Sequence, residues 1–250
     1  MELDAVFFLL AVPTVLFAAI SKGGFGSGAA FLAAPLLANV IEPAQAVALM
    51  LPLLMLMDIT SLRTYWRQWS WPHAIRLMLG AVPGVVLGAL LFRAVSADGL
   101  RLLVGGIALG FVAFQLARTR GWLTPAIGFA RPFWGWFWGG VSGFTSFVSH
   151  AGGPPAAMYL LASKLEKTRF QATTVLVFWW VNLIKVPPYA ALGMFTAEAL
   201  WATLFLMPVA VGGVFIGAWL HRRVSATLFF GLTYTLLAAA GAKLVWDALT

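Results

Sequence analysis

Two lysines stand where a lysine is expensive. Lys22 falls in Ser21-Lys22-Gly23-Gly24-Phe25-Gly26-Ser27-Gly28, which splits one apolar run into Leu3 to Ile20 and Ala29 to Ile41. Lys185 lies with Asn182 and Pro187-Pro188 inside the apolar stretch 170–192. A lysine at the centre of a bilayer costs about 2.5 to 3.5 kcal/mol even on insertion scales, so each needs a reason. Either the side chain snorkels to the headgroups, or it holds a negative partner. Lys22 has the farther to reach, because four glycines within six positions disfavour a continuous helix and place it in a break. A second break comes about 126 residues later, at Ser146-Phe147-Val148-Ser149-His150-Ala151-Gly152-Gly153-Pro154-Pro155. Paired interruptions at corresponding places point to a transporter's substrate site.

The chemistry these residues suit is anion binding. A helix that starts inside the membrane presents unpaired N–H groups and about half a positive charge at its N-terminus. Gly24, Phe25, Gly26, Ser27 and Gly28 in the first break, with Gly152 and Gly153 in the second, let backbone approach a ligand. Ser27, Ser146 and Ser149 add hydroxyls, and proline in the first turn of a helix sacrifices no needed donor. Lys22 and Lys185 supply charge, and His150 and Asn182 supply further polar contacts. The plainer reading is that glycine and serine here only let helices pack closely. Asp58, five residues before Arg63, is a candidate either for an interfacial ion pair or for coupling to H⁺ or Na⁺. Gly140-Val141-Ser142-Gly143 also matches the G-x-S-G of intramembrane serine proteases, with His150 or His221 as the base. That match is four glycine-rich residues, and His150 is too near in sequence to sit on a separate helix. A channel with re-entrant pore loops is the stronger rival to a carrier.

Holding such groups at mid-membrane requires a polytopic all-α membrane protein. The 250 residues are 62% hydrophobic and 10% charged, against about 25% charged in soluble domains. Mean hydropathy is +0.92. Without cysteine, disulfides and thiolate chemistry are excluded; no cofactor or metal site is expected. The net charge of +8 sits in short loops between apolar runs, which is a topology signal rather than a nucleic-acid footprint. Met1-Glu2-Leu3-Asp4 is acidic, so no cleavable leader is expected.

The chain repeats itself. Val82 to Ala97 aligns without gaps on Val211 to Ala226, with ten of sixteen pairs identical, including a shared Arg-x-Val-Ser-Ala. Gly84/Gly88 and Gly213/Gly217 fall at spacings that allow close helix packing. If each broken stretch crossed the membrane once, the loop Lys and Arg would divide seven against seven, which orients nothing. If each is a hairpin that enters and returns on one face, they divide eleven against three, and Arg93, Arg101 and Lys243 are the three. A hairpin plus three spans is an odd number of crossings, so the repeats are inverted. The expected halves are residues 1–122 (hairpin 3–41, helices 44–62, 74–92 and 100–117) and 123–250 (hairpin 133–162, helices 170–192, 200–220 and 226–246). Both termini then lie on the face opposite the arginine-rich loops, the periplasmic one.

Ser21 to Gly28 followed by Pro35, with Gly143-Phe144-Thr145-Ser146-Phe147-Val148-Ser149-His150-Ala151-Gly152-Gly153-Pro154-Pro155, resembles the TauE/SafE sulfite exporter family. Lys185-Val186-Pro187-Pro188-Tyr189 and Lys243-Leu244-Val245-Trp246-Asp247 extend the likeness over essentially the whole chain. The resemblance implies a multi-pass permease of the bacterial inner membrane for sulfite or organosulfonates. Its partners would be a small anion and the lipid bilayer. Ser27 departs from the more glycine-rich run common in the first motif, so substrate fit is expected to differ.

Overall fold

The computed structural model describes residues 4–25, 30–122, 131–220, 223 and 225–250. The described residues are 85% helix, and no strand occurs among them. Ten helices follow in order: α1 (Ala5–Ile20), α2 (Ala33–Leu37), α3 (Pro43–Thr64), α4 (Trp71–Ala94), α5 (Ala97–Thr119), α6 (Pro132–Ser149), α7 (Gly153–Ala162), α8 (Lys167–Ala191), α9 (Ala197–Leu220) and α10 (Ala226–Leu249). Local chemistry sets many of the starts. The Asp4 carboxylate accepts from the Phe7 N–H at 2.8 Å, and the Ser96 and Ser225 hydroxyls accept from Gly99 and Leu228. Pro43 and Pro132 open α3 and α6, where a missing N–H is harmless. Five segments are long and apolar enough to cross a membrane: Ala5–Gly24, Pro43–Arg63, Trp71–Ala94, Ala97–Thr119 and Ala197–Gly217. α8 and α10 run 25 and 24 residues, rising about 36 Å.

The two glycine-rich breaks differ in form. α1 does not stop at Ser21 but widens into a π-helical turn, Ser21–Phe25; such turns often mark functional positions. Gly26, Ser27 and Gly28 lie outside the described residues. The chain returns as a single 3₁₀ turn, Ala30–Leu32, running into the five-residue α2. The second break is sharper. His150 ends α6 in the left-handed conformation at φ 57°, and α7 begins three residues later.

The second hairpin returns to the end it left, and the first ends at the opposite end of α4. Gly135 near the start of α6 lies against Tyr159 near the end of α7, and Arg76 donates to the Tyr159 hydroxyl at 3.1 Å. Arg76 is near the start of α4, on the arginine-rich side. The first hairpin ends at Glu42, which pairs with Arg101 near the start of α5 at 3.1 Å. α4 crosses once between Arg76 and Arg101, so these two marks lie at opposite ends of the molecule.

Packing pairs the first arm of each hairpin with a helix from the other half of the chain. Gly80, Gly84 and Gly88 of α4 lie against Trp136, Gly140 and Phe147 of α6, in parallel order. Gly213 and Gly217 of α9 lie against Leu16, Ala19 and Ile20 of α1, again in parallel. A β-carbon on Gly84 would sit 2.0 Å from the Gly140 carbonyl oxygen, and one on Gly217 would sit 2.3 Å from that of Ile20. The repeated glycine pair therefore does the same job twice, seating the opposite hairpin. α5 and α10, which carry the matching Val-Ser-Ala at their starts, lie antiparallel: Gly105 touches Gly241 and Val245, whereas Gln115 donates to the Tyr234 hydroxyl at 2.6 Å. Corresponding helices running in opposite directions are what an inverted duplication produces.

Candidate functional site

Four elements meet at the hairpin ends. The π-helical turn after α1 carries Lys22 inward, away from either surface, so it does not snorkel; only 7% of the residue is exposed. Its ammonium lies 2.5 Å from Asp58 Oδ1 on α3 and donates to the Leu54 carbonyl at 3.2 Å. Asp58 is fully buried and accepts at its other oxygen from Asn182 Nδ2 of α8, at 2.7 Å. Its partner is thus Lys22 rather than Arg63 at the interface.

One turn along α8, Lys185 is also fully buried. It donates to the Ser146 carbonyl at 3.1 Å and lies 3.2 Å from the Ser146 hydroxyl and 2.8 Å from His150 Nδ1. His150 Nε2 is 2.9 Å from the Val47 carbonyl oxygen. A carbonyl can only accept, so Nε2 carries the proton, and Nδ1 of a neutral ring accepts from Lys185. The left-handed turn at His150 is what aims the ring across at α3. Tyr189 closes this side, its hydroxyl donating to the Phe147 carbonyl at 2.6 Å.

Between these groups lies a cavity of about 20 Å³, lined by Lys22, Leu54, Ser146, His150, Gly153, Phe178 and Asn182. That volume admits about one water. Gly153 is the first residue of α7, and Pro154 and Pro155 after it have no N–H, so the Gly153 N–H is the first-turn donor nearest the cavity.

Of the residues expected to form the site, the structure brings together Lys22, Ser146, His150, Gly153, Asn182 and Lys185, with Asp58 behind Lys22. Others lie differently. A β-carbon on Gly24 would meet the Gly217 carbonyl oxygen at 2.1 Å, so Gly24 packs the tip onto α9. The Ser149 hydroxyl donates back to the Thr145 carbonyl of its own helix at 3.2 Å. Phe25 lies in the π-helical turn, and Gly152 caps α7, its carbonyl accepting from the Ser142 hydroxyl at 2.7 Å. Ser142 is thus a brace within the hairpin. Both His150 nitrogens are engaged elsewhere, so the two do not form a nucleophile–base pair. Leu54, Phe178 and Val47 were not singled out in the sequence; apolar residues and a backbone carbonyl carry no signal there. No cluster of three or more metal-ligating side chains occurs among the described residues.

Two helical breaks around a small, cation-lined pocket, with five segments among the described residues long and apolar enough to cross a membrane, define a multi-pass membrane protein. The family model described as Sulfite exporter TauE/SafE matches residues 11–244, nearly the whole chain, and the protein belongs to that family of membrane transporters. No curated protein and no solved structure matches it.

Proposed function

We propose that the protein is an alternating-access carrier for a small sulfur-containing anion, sulfite or an organosulfonate, held between the hairpin ends. The observation that carries this reading is the charge count around the cavity. Lys22 and Asp58 cancel, and a protonated Lys185 beside neutral His150 would add one positive charge that no buried acid among the described residues balances. An uncompensated ion in a low-dielectric interior costs several kcal/mol, and an entering monoanion removes that cost. Lys185, Ser146, His150, Asn182 and the Gly153 N–H supply the donors, and Lys22 supplies charge once it turns from Asp58.

The cavity is too small for a four-atom oxyanion, so loading requires the halves to part. At the pocket two polar links join the halves: Asn182 to Asp58, and His150 to the Val47 carbonyl. Breaking and remaking these links is the movement that alternating access requires, and a pocket with room for about one water favours a carrier over an open pore. The moving units would be residues 1–122 and 123–250. When an anion draws Lys22 away, Asp58 becomes a buried carboxylate without its cation, and a proton or Na⁺ would take that place. The setting is the bacterial inner membrane, with both termini periplasmic.

The test is counterflow of ³⁵S-sulfite in proteoliposomes, with thermal shift of the purified protein against sulfite, sulfate, methanesulfonate and acetate. Saturable counterflow and a shift with sulfur oxyanions support the carrier. Single-channel currents without counterflow would replace it with the channel.

A further inference from the structure

A second anion-ready feature lies outside the buried pocket, at the arginine-rich end of α3 and α8. An open bay of about 850 Å³ is lined by Leu62, Trp66, Arg67, Trp69, Trp71, Leu176 and Trp179. Trp66, Trp69 and Trp71 stack edge to face, with ring centroids 5.5 and 5.8 Å apart. The loop that carries them is pinned to α8, where the Thr173 hydroxyl accepts from the Ser70 N–H at 2.9 Å.

One exposed donor in this bay lacks an acceptor, and a second lies buried behind its wall. Arg67 is exposed and makes no hydrogen bond or ion pair among the described residues. It is held at φ 61°, a left-handed conformation that bulky side chains rarely adopt, and such strain gathers at binding sites. The Trp179 indole N–H is buried without a partner, although buried donors are nearly always satisfied. A guanidinium against an aromatic wall suits an anion, and the indole faces suit an apolar body attached to it.

The position of the bay gives it a use. Leu62 precedes the cytosol-side end of α3 one turn beyond Asp58, and Trp179 lies one turn before Asn182 on α8, a rise of about 5.4 Å. The floor of the bay therefore adjoins the Asp58–Asn182 link that closes the buried pocket. We propose that this bay is the port through which organic anions reach the pocket from the arginine-rich face, with Arg67 as its first donor and the Asp58–Asn182 link as its inner gate. The port rests on the carrier reading for its purpose, but its anion selectivity can be measured without transport.

The chain has no cysteine, so an introduced thiol is unique. Leu62→Cys is labelled in proteoliposomes and in detergent with two impermeant methanethiosulfonates, the sulfonatoethyl anion and the trimethylammonioethyl cation. Val86→Cys, in the apolar groove between α4 and α8, is the control. The anion is expected to react with Leu62→Cys about tenfold faster than the cation, relative to their rates with a free thiol. Arg67→Gln brings that ratio close to one, and Arg67→Lys keeps most of it. Labelled Leu62→Cys loses sulfite counterflow. Equal relative rates, a ratio that ignores Arg67, or full counterflow after complete labelling would overturn the port. So would protection of the thiol in proteoliposomes but not in detergent, which would assign the bay to lipid. Anion-selective, Arg67-dependent labelling in a protein without any counterflow would uphold the anion bay and defeat the carrier reading instead.

Discussion

Lys22 and Asp58 form a buried ion pair beside the pocket that Lys22 lines. Removing Lys22 alone leaves the Asp58 carboxylate held only by Asn182, and breaking a buried pair this way costs about 3 to 5 kcal/mol. Lys22→Met is therefore expected to lower the melting temperature in detergent strongly. Lys22→Met combined with Asp58→Asn should recover most of that loss while still binding sulfite weakly; normal binding by the double variant would remove Lys22 from the site. Lys185→Met takes away three polar contacts, and sulfite affinity by isothermal titration should fall at least tenfold. On the proposed coupling role, Asp58→Asn should retain counterflow but lose any response to an imposed proton or Na⁺ gradient. The two lysines, His150 and Asn182 were legible in the sequence because charge and polarity are conspicuous against an apolar background. Their pairing was not. Lys22 meets Asp58 only because the π-helical turn carries it to that depth, and no spacing along the chain reports depth.

At the scale of elements, the glycines divide into those that seat helices and those that face open space. A β-carbon on Gly217 meets backbone at 2.3 Å, whereas one on Gly106 or Gly212 meets nothing within 4 Å. Gly217→Val should destabilise the protein by several kcal/mol through overpacking, and Gly106→Ala should stabilise it by about 0.5 to 1 kcal/mol through helix propensity. Thermal unfolding in one detergent measures both. The hairpins themselves were readable from loop charges and from Gly-Gly and Pro-Pro breaks. The character of the first break was not, because a π-helical turn follows from tertiary contact with α9 rather than from local preference. Gly24 shows the same limit. Its residue type suits a ligand loop and a helix contact equally, and only the neighbouring Gly217 carbonyl decides between them.

For the whole molecule, antiparallel α5 and α10 and the opposed hairpins make a definite claim about sidedness. Glu42→Cys and Trp122→Cys, near opposite ends of α5, should react with an impermeant thiol reagent from opposite faces of the membrane, Glu42→Cys from the periplasm. Reaction of both from one face would undo the inverted arrangement. The exchange of hairpins between halves also constrains how the protein is made. α1 is among the first segments to leave the ribosome, yet its seat on α9 is synthesised some 200 residues later. Until then the first hairpin carries Lys22 and a kinked backbone in the bilayer with no groove to receive them. A chain stopped after Leu192 should be degraded quickly, and supplying residues 123–250 as a separate polypeptide should rescue residues 1–122. Biogenesis thus has a vulnerable interval that ends only when α9 inserts, and insertion chaperones would act on the amino-terminal hairpin during that wait.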